Sequence, residues 1–383
     1  MLEHKRYQIA ILFVLVTVYS FFRKKADIIP TDPKKFLTVY LTRNVGDMIF
    51  TTPVFHALKI ARPDAVLTVI GRPRNAETLA HNPSVDTYVK CPDSPYDLWK
   101  AIRRERPEYA FLFAPSFLEL AVLFLAGVPA IGVFSMSNLA SETRTFTYAK
   151  KLCIEIPFVS GRNFASENLK LLHPLGIEAT DTRKHLYASS EAKKTIQVFL
   201  TEAGIKKGSN LVIALAPGAG TKAKQWPADR FAKLADHLYQ THGAPIFVVG
   251  GPGDTAEFEL VKNSILPTTK IVSCLHHTID ELKGFGEVLD VMIANDSAPI
   301  YVAEAFGKAT VTIVGPTNEH EHPPIGKLHK IVKGAAGATP ALTGYIDPTD
   351  QNMLANAREQ IESVTLAQVV NSVDALIQDL QAV

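Results

Sequence analysis

Strand-like apolar runs that lead into loops and then into helical patterns recur along this chain, and this alternation limits the possible fold more than any other feature. In the first half, "FLTVYLTRNVGD", which starts at Phe36, precedes a helical pattern that runs through Ala61 and then a second strand pattern, "AVLTVIG". In the second half, "NLVIALAPGAG", "PIFVVGGPGD" and "VLDVMIAND" show the same arrangement. Strands that alternate with helices predict parallel sheets. We therefore expect an α/β fold in which each half forms a Rossmann-like, doubly wound domain.

The chain length of 383 residues agrees with two domains of this kind. A polar, charged stretch over residues 176–210 is the expected connection between them. We predict an N-terminal domain over residues 36–185, a C-terminal domain over residues 205–362, and a final helix over residues 363–383, which Thr365 can cap.

Composition and charge exclude several classes of protein. Apolar residues make up 47% of the chain, and 40 basic side chains face 38 acidic ones, so no charge excess suggests a nucleic-acid partner. The three cysteines are odd in number and far apart, which predicts neither a disulfide framework nor a zinc site and favours a reducing compartment. A Pro-rich loop explains the loose group of His320, His322 and His329 better than a metal site does, so we expect no metal and no cofactor.

The N-terminal segment, residues 1–30, differs from the rest of the chain. It contains "YQIAILFVLVTVYSFF", sixteen residues without a charge, followed by Arg23, Lys24 and Lys25. This run would span about 24 Å as a helix, somewhat less than a hydrocarbon core of about 30 Å. A signal peptide is the main alternative, but a basic cluster stands where cleavage would be expected. We predict a single uncleaved membrane anchor, with the remaining chain on the cytoplasmic face of the inner membrane because basic residues are denser after the run than before it.

A second apolar stretch, residues 109–134, raises the same question. Pro115, Glu119, Gly127 and Pro129 interrupt it. We therefore expect a core strand and a core helix rather than a membrane span.

Three loops in the second half are candidate phosphate cradles: residues 217–227, 250–254 and 295–307. In the third loop, Asp296 and Ser297 can cap a helix, whose free amides and dipole favour an anion. Lys224 beside the first loop favours a diphosphate. Each loop can also be an ordinary strand-to-helix turn. Neither a P-loop nor a dinucleotide-binding fingerprint is present, so an NTPase and an NAD enzyme are not supported.

In the first half, Asp47 lies in "GDMIFTTPVFHALK", where a buried strand gives way to a helix. A carboxylate in the first turn of a helix is common, because it interacts favourably with the helix dipole. From the residues alone, this structural role is the preferred explanation for Asp47.

Four motifs resemble a known family in their order and spacing: "RNVGDMIFTTPVFHALKIARPDAVLTVIG", "PGAGTKAKQWPADRFAKLADHL", "VVGGPGD" and "VMIANDSAPIYVAEAFGKATVTIVGPT". The chain resembles the heptosyltransferases of lipopolysaccharide-core synthesis, glycosyltransferase family 9, over roughly residues 36–380. The resemblance implies a GT-B architecture of two facing Rossmann-like domains, with the acceptor bound by the first and the nucleotide-sugar by the second. It also implies a metal-independent transfer with inversion at the anomeric carbon.

The resemblance assigns roles to individual residues. Asp47 matches the aspartate that is taken as the general base, Lys224 matches a phosphate-binding lysine, and Trp226 beside it is expected to pack in the core. Asp296, Ser297 and Ala298 match a nucleotide-binding turn. The expected donor-binding residues are Gly218, Gly220, Thr221, Lys224, Gly251, Asp254, Asp296, Ser297, Ala298 and Tyr301, and the expected acceptor-side residues are Arg43, Asn44 and Gly46.

Two positions depart from the family pattern, which has glycine where this chain has Ala298 and histidine where it has Tyr301. These departures leave the donor open. The leading hypothesis is an inverting transfer of heptose or a related sugar from an ADP-heptose-like donor to a lipopolysaccharide-core, other glycolipid or oligosaccharide acceptor. Two alternatives remain: a membrane-tethered nucleotide-sugar binding protein without transferase activity, and a GT-B epimerase-like enzyme.

Overall fold

The computed structural model describes residues 2–23, 25–114, 116–136, 143–205, 211–334 and 350–382. Lys24 of the predicted basic flank, Pro115 of the second apolar stretch, and parts of the predicted connection and C-terminal domain, residues 206–210 and 335–349, lie outside these ranges. The chain divides into two compact units, Met1–Thr182 and Arg183–Val383.

In the described residues, the first unit is built on a six-stranded parallel sheet with the strand order β3-β2-β1-β4-β5-β6. The strands are β1 (Lys35–Tyr40), β2 (Val66–Gly71), β3 (Thr87–Lys90), β4 (Tyr109–Leu112), β5 (Ala130–Met136) and β6 (Ile154–Phe158). The helices are α1 (Leu2–Phe22), α2 (Val45–Ile49), α3 (Thr52–Ala61), α4 (Pro73–Leu79), α5 (Pro95–Glu105), α6 (Phe117–Leu125), α7 (Arg144–Lys150) and α8 (Phe164–Leu169), followed by a 3-10 turn over Lys170–Leu175. This strand order is that of the doubly wound dinucleotide-binding fold.

The order of strands reverses between β1 and β4, which lie side by side with Phe36 opposite Tyr109. In such sheets a crevice opens at the carboxyl ends of the strands at this point, and ligands bind there. The loop that follows β1, residues 41–44, therefore lies at the first unit's expected ligand-binding edge.

Residues 109–134 form β4, α6 and most of β5, as expected for core elements. On one face of the sheet, aromatic rings of Phe55, Phe111 and Phe113 pack within 5.7–6.5 Å of one another. The side chains from Tyr109 through Leu112 are all buried, so both faces of this strand are covered. A run without polar alternation is typical of a strand covered by helices on both sides.

The described residues of the second unit form another six-stranded parallel sheet, with the order β12-β11-β10-β7-β8-β9. The strands are β7 (Ile213–Ala216), β8 (Ile246–Val248), β9 (Ile271–Ser273), β10 (Val291–Asn295), β11 (Ala309–Val314) and β12 (His329–Lys333). The helices are α9 (Ser190–Glu202), α10 (Ala228–His242), α11 (Thr255–Ser264), α12 (Ile279–Val288), α13 (Ala298–Ala305), α14 (Gln351–Glu362) and α15 (Leu366–Gln381), with 3-10 turns over Lys222–Lys224 and Pro252–Asp254. Here the order reverses between β7 and β10, so the loops after these two strands flank the expected binding crevice.

The C-terminal helix α15 packs into the core of the second unit. Thr365 caps it through a capping box with Gln368, and Val369, Val373 and Leu376 are fully buried against the sheet. The final helix and its Thr365 cap, both expected from the sequence, are thus present. The sequence pattern did not predict β12 or α14.

The N-terminal helix α1 belongs to the first unit, where it packs on α6. Its side chains Leu12 and Val16 are buried. The ring of Phe13 lies 6.2 Å from that of Phe117, and Ser20 Oγ is 2.9 Å from the hydroxyl of Tyr148. Part of the apolar run therefore packs against the protein itself.

The predicted membrane-spanning anchor is not supported. In the part of the chain that the structure describes, no helix is both long and apolar enough to cross a bilayer. Arg23, which the sequence places in a basic flank, instead donates hydrogen bonds to the carbonyl oxygens of Phe124 and Val128, and its guanidinium lies 4.9 Å from the ring centroid of Phe124. Burial lowers the pKa of Arg23, although nearby Tyr19 and Cys153 oppose this shift.

Candidate active site

At the switch point of the first unit, Asp47 lies in the first turn of α2. Its Oδ2 accepts hydrogen bonds from Thr42 Oγ1 at 2.7 Å and from Asn44 Nδ2 at 2.9 Å. Both bonds end on one oxygen, so within the described residues Oδ1 keeps its lone pairs for an incoming donor. Burial, followed by the charge of Asp47, raises the pKa of the neighbouring Tyr40 hydroxyl. Asp47 is half-buried, and the two hydrogen bonds to Oδ2 orient its carboxylate.

Two residues that were not predicted from the sequence form hydrogen bonds to the loop that carries Thr42 and Asn44. Asn75 Nδ2 donates to the carbonyl oxygen of Thr42 at 2.9 Å, and Arg72 Nε donates to that of Leu41 at 2.9 Å. Asn75 is fully buried. The signal available in the sequence was "GRPRN", in which a polar residue, Asn75, lies at the start of the helix that follows β2.

The three expected acceptor-side residues differ in their surroundings. Asn44 is exposed and occupies the N-cap position of α2, but its side chain binds Asp47 rather than a helix amide. Arg43 is exposed, and Gly46 is buried in the helix. Arg43 and Asn44, which lie close to Asp47 in the sequence, are therefore accessible to solvent, whereas Gly46 is covered by the protein.

In the second unit, Asn295 fixes the loop that follows β7. Its Oδ1 accepts a hydrogen bond from the backbone N–H of Trp226 at 3.0 Å, and its Nδ2 donates to the carbonyl oxygen of Pro217 at 2.7 Å. Asn295 is fully buried at the end of β10. Asn295 was not among the predicted site residues, although an amide side chain at the end of the apolar strand "VMIAN" was a visible signal. One side chain thus ties the loop after β7 to the end of β10.

Trp226 is buried, as expected for core packing. Its Nε1 donates to the carbonyl oxygen of Val364 at 2.7 Å, and its ring meets that of Phe231 edge-on at 5.0 Å. It is therefore not accessible for stacking on a nucleotide base.

Asp254 lies between the first two glycine loops. A Cβ added to Gly218 would come within 2.2 Å of Asp254 Oδ1, and one added to Gly250 would come within 2.9 Å of Asp254 Oδ2. The same Oδ2 accepts the backbone N–H of Gly251 at 2.7 Å. These contacts give Gly218 and Gly250 a steric reason to lack a side chain, and they show Asp254 organising the loops. By contrast, Gly220 has open space around it, and Thr221 is exposed.

Asp296 is the most constrained carboxylate of the predicted donor set. Tyr301 donates its hydroxyl hydrogen bond to Oδ1, and Lys224 Nζ lies 4.0 Å from Oδ2. Burial alone would raise the pKa of Asp296. The positive charges of His322 and Lys224, with hydrogen bonds from Tyr301 and Thr317, outweigh burial and hold this pKa below its ordinary value. Asp296 therefore carries a negative charge next to the first loop's lysine.

Ser297 occupies the N-cap position of α13, but the prediction that Asp296 and Ser297 cap this helix is wrong for their side chains. Ser297 Oγ donates to the carbonyl oxygen of Asn295 at 3.1 Å, and among the residues that the structure describes its side chain caps no amide of the helix. The carboxylate of Asp296 is engaged by Tyr301 instead. Ala298 begins the helix and is half-buried.

The loop after β11 adds residues that the sequence analysis assigned to an ordinary loop. The ring of His322 lies 5.9 Å from that of Tyr301, and a recess beside Asp296 is lined by Thr317, Glu319 and His322 among others. This loop also follows the carboxyl end of a strand, which is the signal that could have identified it.

Behind Tyr301, Lys184 and Glu304 form a buried ion pair. Lys184 Nζ lies 2.6 Å from Glu304 Oε2, and both side chains are almost fully covered, at 2% and 4% exposed. The same ammonium lies 5.6 Å from the centroid of the Tyr301 ring. The phenol is thus held between this ion pair and Asp296.

The structure therefore brings Gly218, Lys224, Asp254, Asp296 and Tyr301 to the switch-point edge of one sheet. Two parallel, doubly wound sheets, each with polar residues at its switch point, place the chain in the class of open α/β proteins, which bind ligands outside the carboxyl ends of their strands.

Comparison with known proteins identifies the family. The model of glycosyltransferase family 9 (heptosyltransferase) matches residues 96–344, well over half of the chain. The chain therefore belongs to glycosyltransferase family 9, as the sequence motifs indicated.

Individual relatives are distant but cover most of the chain. Lipopolysaccharide heptosyltransferase 3 of Escherichia coli is 24% identical over 291 residues, which are 71% of this chain and 81% of that protein. The fold is similar to a family 9 glycosyltransferase from Veillonella parvula, with a TM-score of 0.76, 19% identity, and coverage of 92% of this chain and 100% of that one. It is also similar to the E. coli ADP-heptose lipopolysaccharide heptosyltransferase II, with a TM-score of 0.71, 16% identity, and coverage of 91% and 99%. These structures support two GT-B-like parallel α/β sheets.

Proposed function

We propose that this protein is an inverting glycosyltransferase that moves a heptose or a related sugar from a nucleotide-sugar donor to a glycolipid or oligosaccharide acceptor. The observation that carries this proposal is the juxtaposition of Lys224 and Asp296 at the switch point of the second unit. A cation and open backbone amides at a strand end suit a diphosphate. An ionised carboxylate beside them can accept hydrogen bonds from the hydroxyl groups of a ribose or sugar.

The reaction follows from these assignments. Asp47 accepts the proton of the acceptor hydroxyl as its oxygen forms a bond to the anomeric carbon. The bond from that carbon to the diphosphate oxygen breaks, and its electron pair leaves with the nucleoside diphosphate. Lys224 and the loop amides stabilise the negative charge that develops on this leaving group. Attack opposite the leaving group inverts the anomeric configuration.

The donor proposed is ADP-heptose or a close analogue, and the acceptor is the lipopolysaccharide core or another glycolipid. Support for this choice comes from family membership and from the names of the relatives. Tyr301 sets a limit on the donor, since its ring and its bond to Asp296 occupy space next to the proposed binding residues.

We propose that the transfer needs no metal ion, because Lys224 and the loop amides are assigned the charge-stabilising role. We also propose that the protein works at the cytoplasmic face of the inner membrane, where a lipid-linked acceptor is accessible. The free thiols of Cys91, Cys153 and Cys274 support this location, because free cysteines are typical of a reducing compartment.

A donor panel tests the function directly. Purified protein is incubated in EDTA with ADP-heptose, other ADP-sugars and UDP-sugars, with and without lipopolysaccharide-core acceptor, and nucleoside-diphosphate release is measured. We expect acceptor-dependent ADP release with ADP-heptose. Nucleotide binding without turnover would support a binding protein instead, and acceptor-independent change of the donor would support an epimerase-like enzyme.

A further inference from the structure

Helix α1 presents a continuous apolar stripe to solvent. Between 49% and 84% of each side chain in this stripe is exposed. Its members are Tyr7, Ile11, Val14, Leu15, Val18, Phe21 and Phe22. At 3.6 residues per turn they fall within an arc of about 120° on one side of the helix. Exposed apolar patches of this kind mark binding surfaces, whereas singly scattered apolar residues do not.

The opposite side of the helix is already used. Leu12 and Val16 are buried there, and the ring of Tyr19 meets that of Phe124 at 5.8 Å. Arg23 bonds to the carbonyl oxygens of Phe124 and Val128 just beyond the helix end. Because these contacts fix the rotation of α1 on its unit, the stripe cannot turn inward without losing them.

Charge favours a lipid surface as the occupant of the stripe. The sequence has no acidic residue between Glu3 and Asp27, and it has basic residues on both sides of the apolar run. Lys25, immediately beyond the helix, is exposed. Basic groups beside an apolar helix face attract anionic headgroups, and aromatic rings such as those of Tyr7 and Phe22 suit the headgroup boundary.

We propose that α1 lies in the plane of an anionic bilayer surface, with its stripe among the headgroups and its other side bound to the first unit. This refines the membrane location given under the proposed function and does not depend on sugar transfer. It replaces a spanning segment by an interfacial one, in which the helix keeps the contacts that Leu12, Val16 and Tyr19 make with the first unit.

Vesicle sedimentation with the full-length protein tests this inference. Vesicles contain either 30% phosphatidylglycerol in phosphatidylcholine or phosphatidylcholine alone. We expect the wild type to bind the anionic vesicles more tightly, and the double variant Phe21→Ser/Phe22→Ser to bind them at least about tenfold more weakly. The matched control, Val198→Ser/Leu260→Ser, alters two apolar side chains that are each 58% exposed in the second unit, and it should bind like the wild type.

Circular dichroism and thermal melting establish that each variant folds. Absence of wild-type binding, or equal binding by the Phe21→Ser/Phe22→Ser variant, would overturn the proposal. So would resistance of the membrane-bound protein to extraction with alkaline carbonate, which would indicate a spanning segment. A wild-type dimer that the double variant converts to a monomer, seen by light scattering without vesicles, would identify a second copy as the occupant. None of these results depends on the nucleotide-release assay, so the two proposals can fail separately.

Discussion

The side-chain oxygen of Asn295 accepts a hydrogen bond from the backbone N–H of Trp226 at 3.0 Å, across 69 residues of chain. The same side chain donates to the carbonyl oxygen of Pro217 at 2.7 Å. One buried amide at the end of β10 therefore holds both ends of the loop that follows β7. Lys224 lies in that loop and Asp296 directly follows Asn295, so the distance between Lys224 and Asp296 depends on Asn295.

Asn295→Ala should destabilise the protein by about 2–6 kcal/mol, because it leaves a buried N–H and a buried carbonyl oxygen without their partner, at about 1–3 kcal/mol each. Urea unfolding measures this change. Asn371→Ala, at an exposed position of α15, is the control and should change stability by less than about 0.5 kcal/mol. Equal stability of Asn295→Ala and wild type would show that water or a shifted loop replaces these bonds.

Asp47→Asn should lower acceptor-dependent turnover by about 10²- to 10⁴-fold, since an amide cannot take the acceptor proton. Nucleotide affinity, measured by calorimetry, should stay unchanged. Asp97→Asn is a matched control, because Asp97 is also a first-turn carboxylate, in α5, and accepts a bond from Ser94. Full turnover by Asp47→Asn would return Asp47 to a purely structural role.

Lys224→Met should weaken binding of ADP about tenfold or more, because it removes a charged partner of the diphosphate worth about 1.5–3 kcal/mol. Titration calorimetry measures the effect, and added salt should reduce the difference from wild type. Lys233→Met, which changes an exposed lysine paired with Asp229, should bind ADP as the wild type does. If both variants bind ADP equally well, the diphosphate lies elsewhere.

The depressed pKa of Asp296 predicts a pH dependence of stability. Its folded-state pKa lies below the ordinary value of 3.8, so its ionised form is favoured by folding. The stabilisation is complete about one pH unit above 3.8 and is lost as the pH falls from about 5 through the depressed folded value. The free energy of unfolding of wild type minus that of Asp296→Asn should therefore shrink as the pH falls from 5 toward 3. A difference that grows on acidification would mean that burial dominates and that the pKa is raised.

The general form of both sheets was predictable because parallel strands covered on both faces must be apolar along their whole length. The run from Tyr109 to Leu112 shows this directly, and the glycine loops after β7 and β8 marked the strand ends. The roles assigned to Asp47 and to the donor-binding residues remain predictions, although the structure places Lys224, Asp254, Asp296 and Tyr301 at one sheet edge.

Asn75, Asn295 and His322 were not predicted as site residues, because each acts on a partner that is distant in sequence. Asn295 meets Trp226 and Pro217 only after β7 and β10 have paired, and His322 meets Tyr301 only after β11 has joined the sheet. No local pattern encodes such contacts.

The sequence by itself determined that the chain alternates strands and helices, that glycine and acidic residues follow the strand ends, and that the chain resembles family 9 glycosyltransferases. These properties depend on residues close together in the chain. Only the tertiary structure decided which side of α1 is packed and which is exposed, and that Lys184 lies against the ring of Tyr301, because both depend on surfaces brought together by folding. Hydropathy alone treats every side of an apolar helix alike, whereas packing against α6 buries one side and leaves the other to solvent.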